Sequence, residues 1–182
     1  MKSSATADDA QQTLQRWQAR EAALAACAAP VGLARPDQVA GQSGLQMFEA
    51  MLAGRLPRAP ITTTLQFWLV EAAFGHAEFQ GKPAFEHYNP LGGVHGGWMA
   101  TLLDSAVGCA VHTLLPAGKA YTTLELKVNF VKGLSDRVPL VRAIGDVIHS
   151  GGRVATAEGR LVGPDGTLYA HATTTCLIFE AR

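Results

Sequence analysis

The chain has 182 residues, a length that fits one domain with about thirty residues to spare and excludes a second full catalytic domain. Fifteen Lys and Arg residues balance fifteen Asp and Glu residues, so no net charge draws the chain to nucleic acid or to an acidic membrane surface. Only 16% of the residues are charged while 48% are hydrophobic, which is little charge for the surface of a monomer.

The first 60 residues are predicted to form a helical extension. Residues 8–29 carry apolar side chains at three-to-four spacing behind an Asp cap, as an amphipathic helix does. Ser43 and Gln46 fit a capping box at the start of a second, shorter helix, which Gly54 ends. Because six basic and five acidic groups nearly cancel here, we expect this extension to pack or form an interface rather than to bind DNA.

The sequence also bears on the compartment of the protein. Charged residues interrupt the first 20 residues, and no run of about 18 apolar residues occurs anywhere. The cysteines are far apart and lack both a Cys-x-x-Cys pair and metal-ligand spacing to a His; they are Cys27, Cys109 and Cys176. We therefore expect a cytoplasmic protein that neither enters a membrane nor holds a metal.

Beyond residue 61 the hydrophobic period becomes that of β-strands. Residues 64–71 and 76–80 predict a hairpin that turns at Gly75. Four further strands are predicted over residues 121–130, 138–148, 153–162 and 168–179, with turn-forming clusters between the last three. Alternation in the first of these predicts an apolar face of Leu124, Leu126, Val128 and Phe130 and a polar face of Thr123, Glu125, Lys127 and Asn129.

One helix is predicted between the hairpin and these strands, from about Gly96 to Leu114. It is apolar around most of its circumference, which only a buried helix tolerates. Its remaining side, about one third of the circle, holds Gly97, Thr101, Asp104, Ser105, Gly108 and His112. An antiparallel sheet wrapped around one buried helix is an α+β architecture.

Asp104 is the residue of this helix that structure alone explains least well. A carboxylate in the middle of a buried helix is costly unless it is paired or hydrogen-bonded, and the helix carries no Lys or Arg. A hydrogen bond from the backbone or from a hydroxyl such as that of Thr101 would give it a purely structural role. A catalytic carboxylate is the alternative.

A glycine-rich loop over residues 87–97 leads into the N-terminus of this helix. The unsatisfied N–H groups and the positive dipole end at such a terminus stabilise negative charge. Donors of this kind stabilise the oxyanion of acyl transfer. A plain tight turn explains the same residues equally well.

Asn89, the run His95-Gly96-Gly97 and then Asp104, nine residues after the His, occur in this loop and helix. In spacing and context they resemble the hotdog-fold acyl-coenzyme A thioesterases, in the branch related to phenylacetate degradation. The resemblance covers about residues 61–180. It implies a hotdog domain over residues 61–182, in which an antiparallel sheet wraps around one long central helix; the helical extension predicted from the sequence occupies residues 1–60.

The resemblance also implies roles for these residues. Asp104 would be the nucleophile or the general base, and the backbone N–H of Gly96 would polarise the thioester carbonyl. His95 and Asn89 would orient the site. Thr123 falls where the family often places a Ser or Thr that helps to hold the attacking water. Coenzyme A would be part of the substrate, and no cofactor is expected.

Further residues are candidates for binding the substrate. Gly97 and Trp98 follow Gly96, so Trp98 is either a core residue or a wall of the acyl pocket. The turn that contains Gly152 and Arg153 could present N–H groups and a guanidinium to the coenzyme A phosphates, or it could be a plain hairpin turn.

The distance along the helix predicts a shared site. Asp104 lies eight residues beyond Gly96, which is about 12 Å along the helix axis. A hydrogen-bonded reacting group allows only about 3 Å. If both groups act on one carbonyl, they belong to different subunits, and we expect a homodimer, or a dimer of dimers, with active sites shared between subunits.

Two other functions fit the same fold. A non-catalytic acyl-coenzyme A binding or sensing protein would bind its ligand without hydrolysing it. A hydratase would pair an Asp with a His in a different local motif, which the glycine-rich loop does not match.

Overall fold

The computed structural model describes residues 6–181. Its helices are α1 (Ala7–Cys27), α2 (Pro36–Val39), α3 (Gly44–Leu52), α4 (Ile61–Thr64) and α5 (Gly96–Thr113). Its strands are β1 (Phe67–Ala73), β2 (His76–Gly81), β3 (Lys119–Phe130), β4 (Val141–Ser150), β5 (Val154–Val162) and β6 (Leu168–Glu180). The predicted sequence of helical extension, hairpin, central helix and long strands is therefore confirmed.

The six strands form one antiparallel sheet in the order β1-β2-β4-β5-β6-β3, so β1 and β3 are its edges. The sheet wraps around α5, whose side chains at Leu102, Leu103 and Ala106 are fully buried. Close approach depends on glycine: a Cβ at Gly145 of β4 would lie 2.4 Å from the Ala106 carbonyl oxygen. The expected α+β arrangement of a sheet around one central helix is confirmed.

The extension packs on two sides of this core. Helix α1 begins at the cap Thr6, whose hydroxyl accepts a hydrogen bond from the Asp9 N–H, whereas the sequence suggested an Asp cap. Helix α3 begins at the predicted capping box of Ser43 and Gln46. The Gly44 N–H donates to the Leu115 carbonyl beyond the end of α5, which fixes α3 against that end.

A chain of polar side chains joins α1 to the sheet. The Gln80 amide donates to Glu21 at 2.7 Å and accepts from the Arg142 Nε at 3.1 Å, and a second nitrogen of Arg142 donates to Glu78. The Arg142 guanidinium also lies 4.8 Å from the ring centroid of Trp17. Gln80 is fully buried, so α1 closes over this group of side chains.

Strand β3 contains a β-bulge that the sequence pattern does not show. Thr123 pairs with Cys176 but Glu125 pairs with Thr175, so Leu124 is an extra residue. The predicted faces are therefore wrong at this point: Thr123 points to α5 and Leu124 is 58% exposed.

Within residues 6–181, no helix is both long and apolar enough to cross a membrane.

Candidate active site

The first turn of α5 leaves one backbone donor available. His95 is the N-cap, and its Nδ1 accepts a hydrogen bond from the Gly97 N–H at 2.8 Å. The Trp98 N–H donates to the His95 carbonyl. Because the N–H of the first helical residue has no partner within its own helix, the Gly96 N–H is the donor that can meet a ligand here. A neutral His95 with an accepting Nδ1 carries its proton on Nε2.

Asn89 organises the loop before the helix. Its Oδ1 accepts from the N–H groups of Leu91 at 2.9 Å and Gly93 at 3.3 Å. Its backbone N–H donates to the Gly93 carbonyl, and Gly92 turns the chain at a φ of 83°. A positive φ favours glycine. Gly92 and the hydrogen bonds of Asn89 therefore fix the conformation of the loop and the direction of the helix N-terminus.

Asp104 faces β3 from the middle of α5 and is half-buried. The Thr123 hydroxyl donates to its carboxylate at 3.1 Å. Thr101 does not supply this bond, because its hydroxyl donates to the Gly97 carbonyl, so the hydroxyl that satisfies the carboxylate is that of Thr123. The bulge at Leu124 is what turns Thr123 towards this carboxylate.

The neighbours of Asp104 stay protonated near neutral pH. Burial raises the pKa of the Cys109 thiol to about 12. Burial also raises the pKa of Tyr121 well above its usual value, and a Cβ at Gly108 would lie 2.9 Å from its hydroxyl oxygen. Neither group therefore supplies an anion at neutral pH. The sequence pattern gave no sign that Tyr121 would lie against the helix, because the bulge determines its face.

Phe130 covers the start of the helix, a contact that the sequence analysis missed. A Cβ at Gly96 would lie 3.0 Å from the Cζ of Phe130, and the ring is 53% exposed. The missing side chain at Gly96 therefore gives the ring access to the helix N-terminus. Only the exposure of a large aromatic at the end of a predicted strand could have drawn attention to it.

Trp98 is a core residue that also borders a groove. It is 4% exposed and its Nε1 donates to the Leu65 carbonyl at 2.8 Å. Its ring stacks on His87, with 4.9 Å between centroids. With His95, Gly97 and other residues, both rings line an open depression at the helix N-terminus. Burial lowers the pKa of His87, so this ring is neutral at neutral pH.

Gly152 and Arg153 lie at the other end of the sheet. The Arg153 carbonyl accepts from the Ile178 N–H, and Ile178 pairs with Tyr121. Phe130, which contacts Gly96, pairs with Ala170, eight residues from Ile178 along β6. Eight residues of antiparallel strand span about 27 Å, so one protomer does not bring this turn to its own helix N-terminus.

The described residues offer no cluster of three or more His, Cys, Asp or Glu side chains that could hold a metal ion. What they provide is a loop that Asn89 and His95 organise, an available N–H at Gly96 and, further along the same helix, a carboxylate that Thr123 holds. A donor for an oxyanion and a carboxylate are the groups that thioester hydrolysis requires.

Comparisons with known proteins find thioesterases. A family model described as the thioesterase superfamily matches residues 91–170, which include His95, Gly96, Asp104 and Thr123. A search of curated proteins finds no match.

Solved structures share the fold. A protein from Ralstonia eutropha, described as related to phenylacetic acid degradation, is 29% identical; the match covers 71% of this chain and 98% of that chain, with a TM-score of 0.65. A thioesterase family protein from Silicibacter pomeroyi is 25% identical over 67% and 90% of the two chains, with a TM-score of 0.62. A thioesterase from Haemophilus influenzae is 18% identical; the match covers 66% of this chain and 82% of that chain, with a TM-score of 0.61. The chain thus has the hotdog fold, and its residues 91–170 match the model of the thioesterase superfamily.

Proposed function

We propose that the protein hydrolyses an acyl- or aryl-coenzyme A thioester to a free acid and coenzyme A. The observation that carries this proposal is the pairing of a carboxylate held by Thr123 with an available N–H at Gly96, both within the family-matched residues. A thioester has a good leaving group, so these two groups suffice without a strongly basic triad.

Two routes use the same residues. In one, an Asp104 oxygen attacks the carbonyl carbon, the C–S bond breaks to release coenzyme A, and water cleaves the resulting anhydride. In the other, Asp104 takes a proton from water as the water attacks. In both, the Gly96 N–H donates to the oxygen that gains negative charge, and Thr123 holds the carboxylate or the water.

The oxygen of water can identify the nucleophilic route. After a single turnover in ¹⁸O-labelled water, label in Asp104 shows an anhydride whose Asp104 carbonyl is attacked by water, whereas label in the acid alone fits either base-assisted water or water attack on the acyl carbonyl of the anhydride. Mass spectrometry of the peptide that contains Asp104 distinguishes these outcomes.

We propose that the active unit is a homodimer with shared sites, or a dimer of two such dimers. The axial separation of about 12 Å between Gly96 and Asp104 supports this. The edge strand β3 also exposes Leu124 and Phe130, and Val131 follows them at 56% exposure. An exposed apolar edge strand is a surface that a second copy can cover.

The substrate-binding residues are part of the same proposal. Gly97 and Trp98 would border the acyl group from the groove at the helix N-terminus. Gly152 and Arg153 would meet the coenzyme A phosphates from the partner subunit, since they lie far from this groove in their own chain. The cytoplasmic location stays a prediction from the sequence.

The first test is thiol release from a panel of acyl- and aryl-coenzyme A esters. We expect Asp104→Asn to lower kcat at least about 100-fold, the lower range for loss of a general base, while far-UV circular dichroism stays unchanged. Asp104→Ala should behave alike. Unchanged turnover in both variants would overturn the assignment, and saturable binding without any thiol release would indicate a binding protein instead.

The second test removes the proposed donor alone. Gly96 is the first helical residue, where proline is favoured, and His95 before it has φ −62° and ψ 135°, which proline tolerates. In a Phe130→Ala background that makes room for the ring, we expect Gly96→Pro to lower kcat about 100-fold with little change in stability. The Phe130→Ala single variant is the control, and equal kcat in the two would exclude this N–H from catalysis.

A further inference from the structure

A second cavity lies between the helical extension and the rest of the chain. It has a volume of about 220 Å³, and its walls come from α1, α3, β1, β2 and α5. Apolar side chains form most of the lining, among them Leu24, Ala28, Phe48, Met51, Leu69 and Phe79. A largely apolar cavity of this kind, partly open to solvent, can take an apolar molecule.

This cavity is separate from the candidate active site. Cys109 is the residue of α5 that lines it. Cys109 comes five residues after Asp104, which places it about 140° around the helix and about 7.5 Å along it. Asp104 and Gly96 do not line the cavity, and of its lining only Cys109 lies within the residues that match the thioesterase superfamily. The site is therefore formed largely by this chain's own extension and hairpin.

Three polar residues face the cavity, and two of them have partners. The Glu21 carboxylate accepts from the Gln80 amide at 2.7 Å, and the Thr62 hydroxyl donates to the Ala59 carbonyl at 2.7 Å. The third, Arg58, has a buried Nε for which the described residues provide no hydrogen-bond acceptor. Buried donors are almost always paired, so this Nε calls for an acceptor from outside the chain.

The size of the cavity and the unpaired Nε of Arg58 define the ligand. An apolar cavity of about 150 Å³ accepts benzene, so the larger one here accommodates a body of about eight carbons. A guanidinium binds a carboxylate more strongly than a neutral acceptor. We propose that the cavity binds a monocarboxylic acid with an apolar body of about eight carbons, its carboxylate on Arg58. This proposal does not depend on the proposed thioesterase activity.

The test is calorimetric titration of the full chain with three probes of equal length: octanoate, 1-octanol and octylammonium. We expect saturable binding of one octanoate per chain, with at least about tenfold weaker binding of the other two. Absence of saturable octanoate binding, or equal affinity for octanoate and 1-octanol, would overturn the proposal.

Variants locate the binding. Arg58→Met should remove the preference for octanoate over 1-octanol, because the cavity is kept and the guanidinium is lost. Ala28→Phe, at the C-cap of α1, should abolish binding of both octanoate and 1-octanol by filling the cavity, whereas Ala26→Phe, on the exposed side of α1, should leave their binding intact. Ala25→Leu, with native circular dichroism, serves if Ala28→Phe unfolds.

Asp104→Asn separates this site from the candidate active site. We expect octanoate to bind this variant with unchanged affinity, whether or not the chain hydrolyses thioesters. Loss of octanoate binding in Asp104→Asn would place the acid in the active site and would contradict a second site.

Discussion

At the scale of single residues, the absence of a side chain at Gly96 has two effects. It leaves the N–H open, and it lets the ring of Phe130 approach the helix N-terminus. A residue with a Cβ at this position would have to displace that ring. Gly96 therefore couples the proposed donor to the aromatic ring that lies against it.

Gly96→Ala tests this coupling. Its Cβ would lie 3.0 Å from Phe130, so the ring or the helix start must shift. We expect kcat/KM for the best thioester of the panel to fall about tenfold, since small misplacements at a reacting centre are costly. Adding Phe130→Ala to Gly96→Ala should restore most of the lost kcat/KM. Gly93→Ala, whose Cβ meets only an ordinary contact at 3.6 Å, is the control, and a similar loss there would contradict the explanation.

His112 gives a prediction on pH. Burial lowers its pKa from an ordinary value of 6.5, so the unfolded chain binds this proton more readily than the folded chain. Its contribution to stability is therefore present above pH 6.5 and is lost as the pH falls below that value. We expect the stability of the wild type relative to His112→Gln to decrease between pH 7.5 and 5.5, measured by urea unfolding. If the difference in the free energy of unfolding between the wild type and His112→Gln is the same at both pH values, the prediction is wrong.

Comparison with His112→Gln is needed because other histidines titrate as well. Burial alone would lower the pKa of His76, but the hydrogen bond and charge of Asp146 outweigh it and raise the pKa. Stability from His76 is thus present at low pH and is lost as the pH rises. Since both chains contain His76, its effect cancels in the difference.

At the scale of elements, the contact between α3 and α5 depends on a glycine. A Cβ at Gly44 would lie 1.9 Å from the His112 carbonyl oxygen, and backbone atoms cannot move aside as a flexible side chain can. The edge of the Phe48 ring meets His112 on the same side, with 5.3 Å between centroids. Helix α3 therefore closes tightly over the end of α5.

Gly44→Ala should separate these two helices. We expect it to lower the free energy of unfolding by about 2 kcal/mol, in the range of overpacking in a core, as measured by urea unfolding. Gly133→Ala, where a Cβ would meet nothing within 4 Å, should change stability little. Equal effects of the two substitutions would show that the contact between the helices is unimportant.

The elements also show what the sequence can predict. The boundaries of α5 and of the strands follow from hydrophobic period and from turn residues, and they were predicted within a few residues. The face of Thr123 was not, because a bulge at Leu124 depends on how β3 fits β6 and α5. The sequence also does not predict the distance between Arg153 and Gly96, because that distance depends on the order of the strands in the sheet. The local motif of Asn89, His95 and Gly96 was visible because one short segment contains it.

At the scale of the whole molecule, the low fraction of charged residues fits a protein that buries part of its surface against a second copy. The exposed apolar side chains on and after β3 are consistent with that. In a dimer with two-fold symmetry, each site would take Gly96 from one chain and Asp104 from the other.

Mixing two inactive variants tests the shared site. We expect Gly96→Pro and Asp104→Asn, both in the Phe130→Ala background and refolded together in equal amounts, to regain about one quarter of the activity of Phe130→Ala. Half of the dimers would be mixed, and each would have one intact site of two. No recovery, with mixed dimers shown by native mass spectrometry, would place both groups in one chain.

The polar chain from Glu21 through Gln80 to Arg142 bears on whether the sheet can fold without the helical extension. Although composition changes near residue 60, α1 covers Gln80, which is fully buried, and supplies its partner Glu21. A chain shortened to start at residue 61 would expose these groups and the hairpin beneath them. Extension and sheet should thus unfold in a single cooperative transition, so that this sequence has no smaller autonomous folding unit at that boundary.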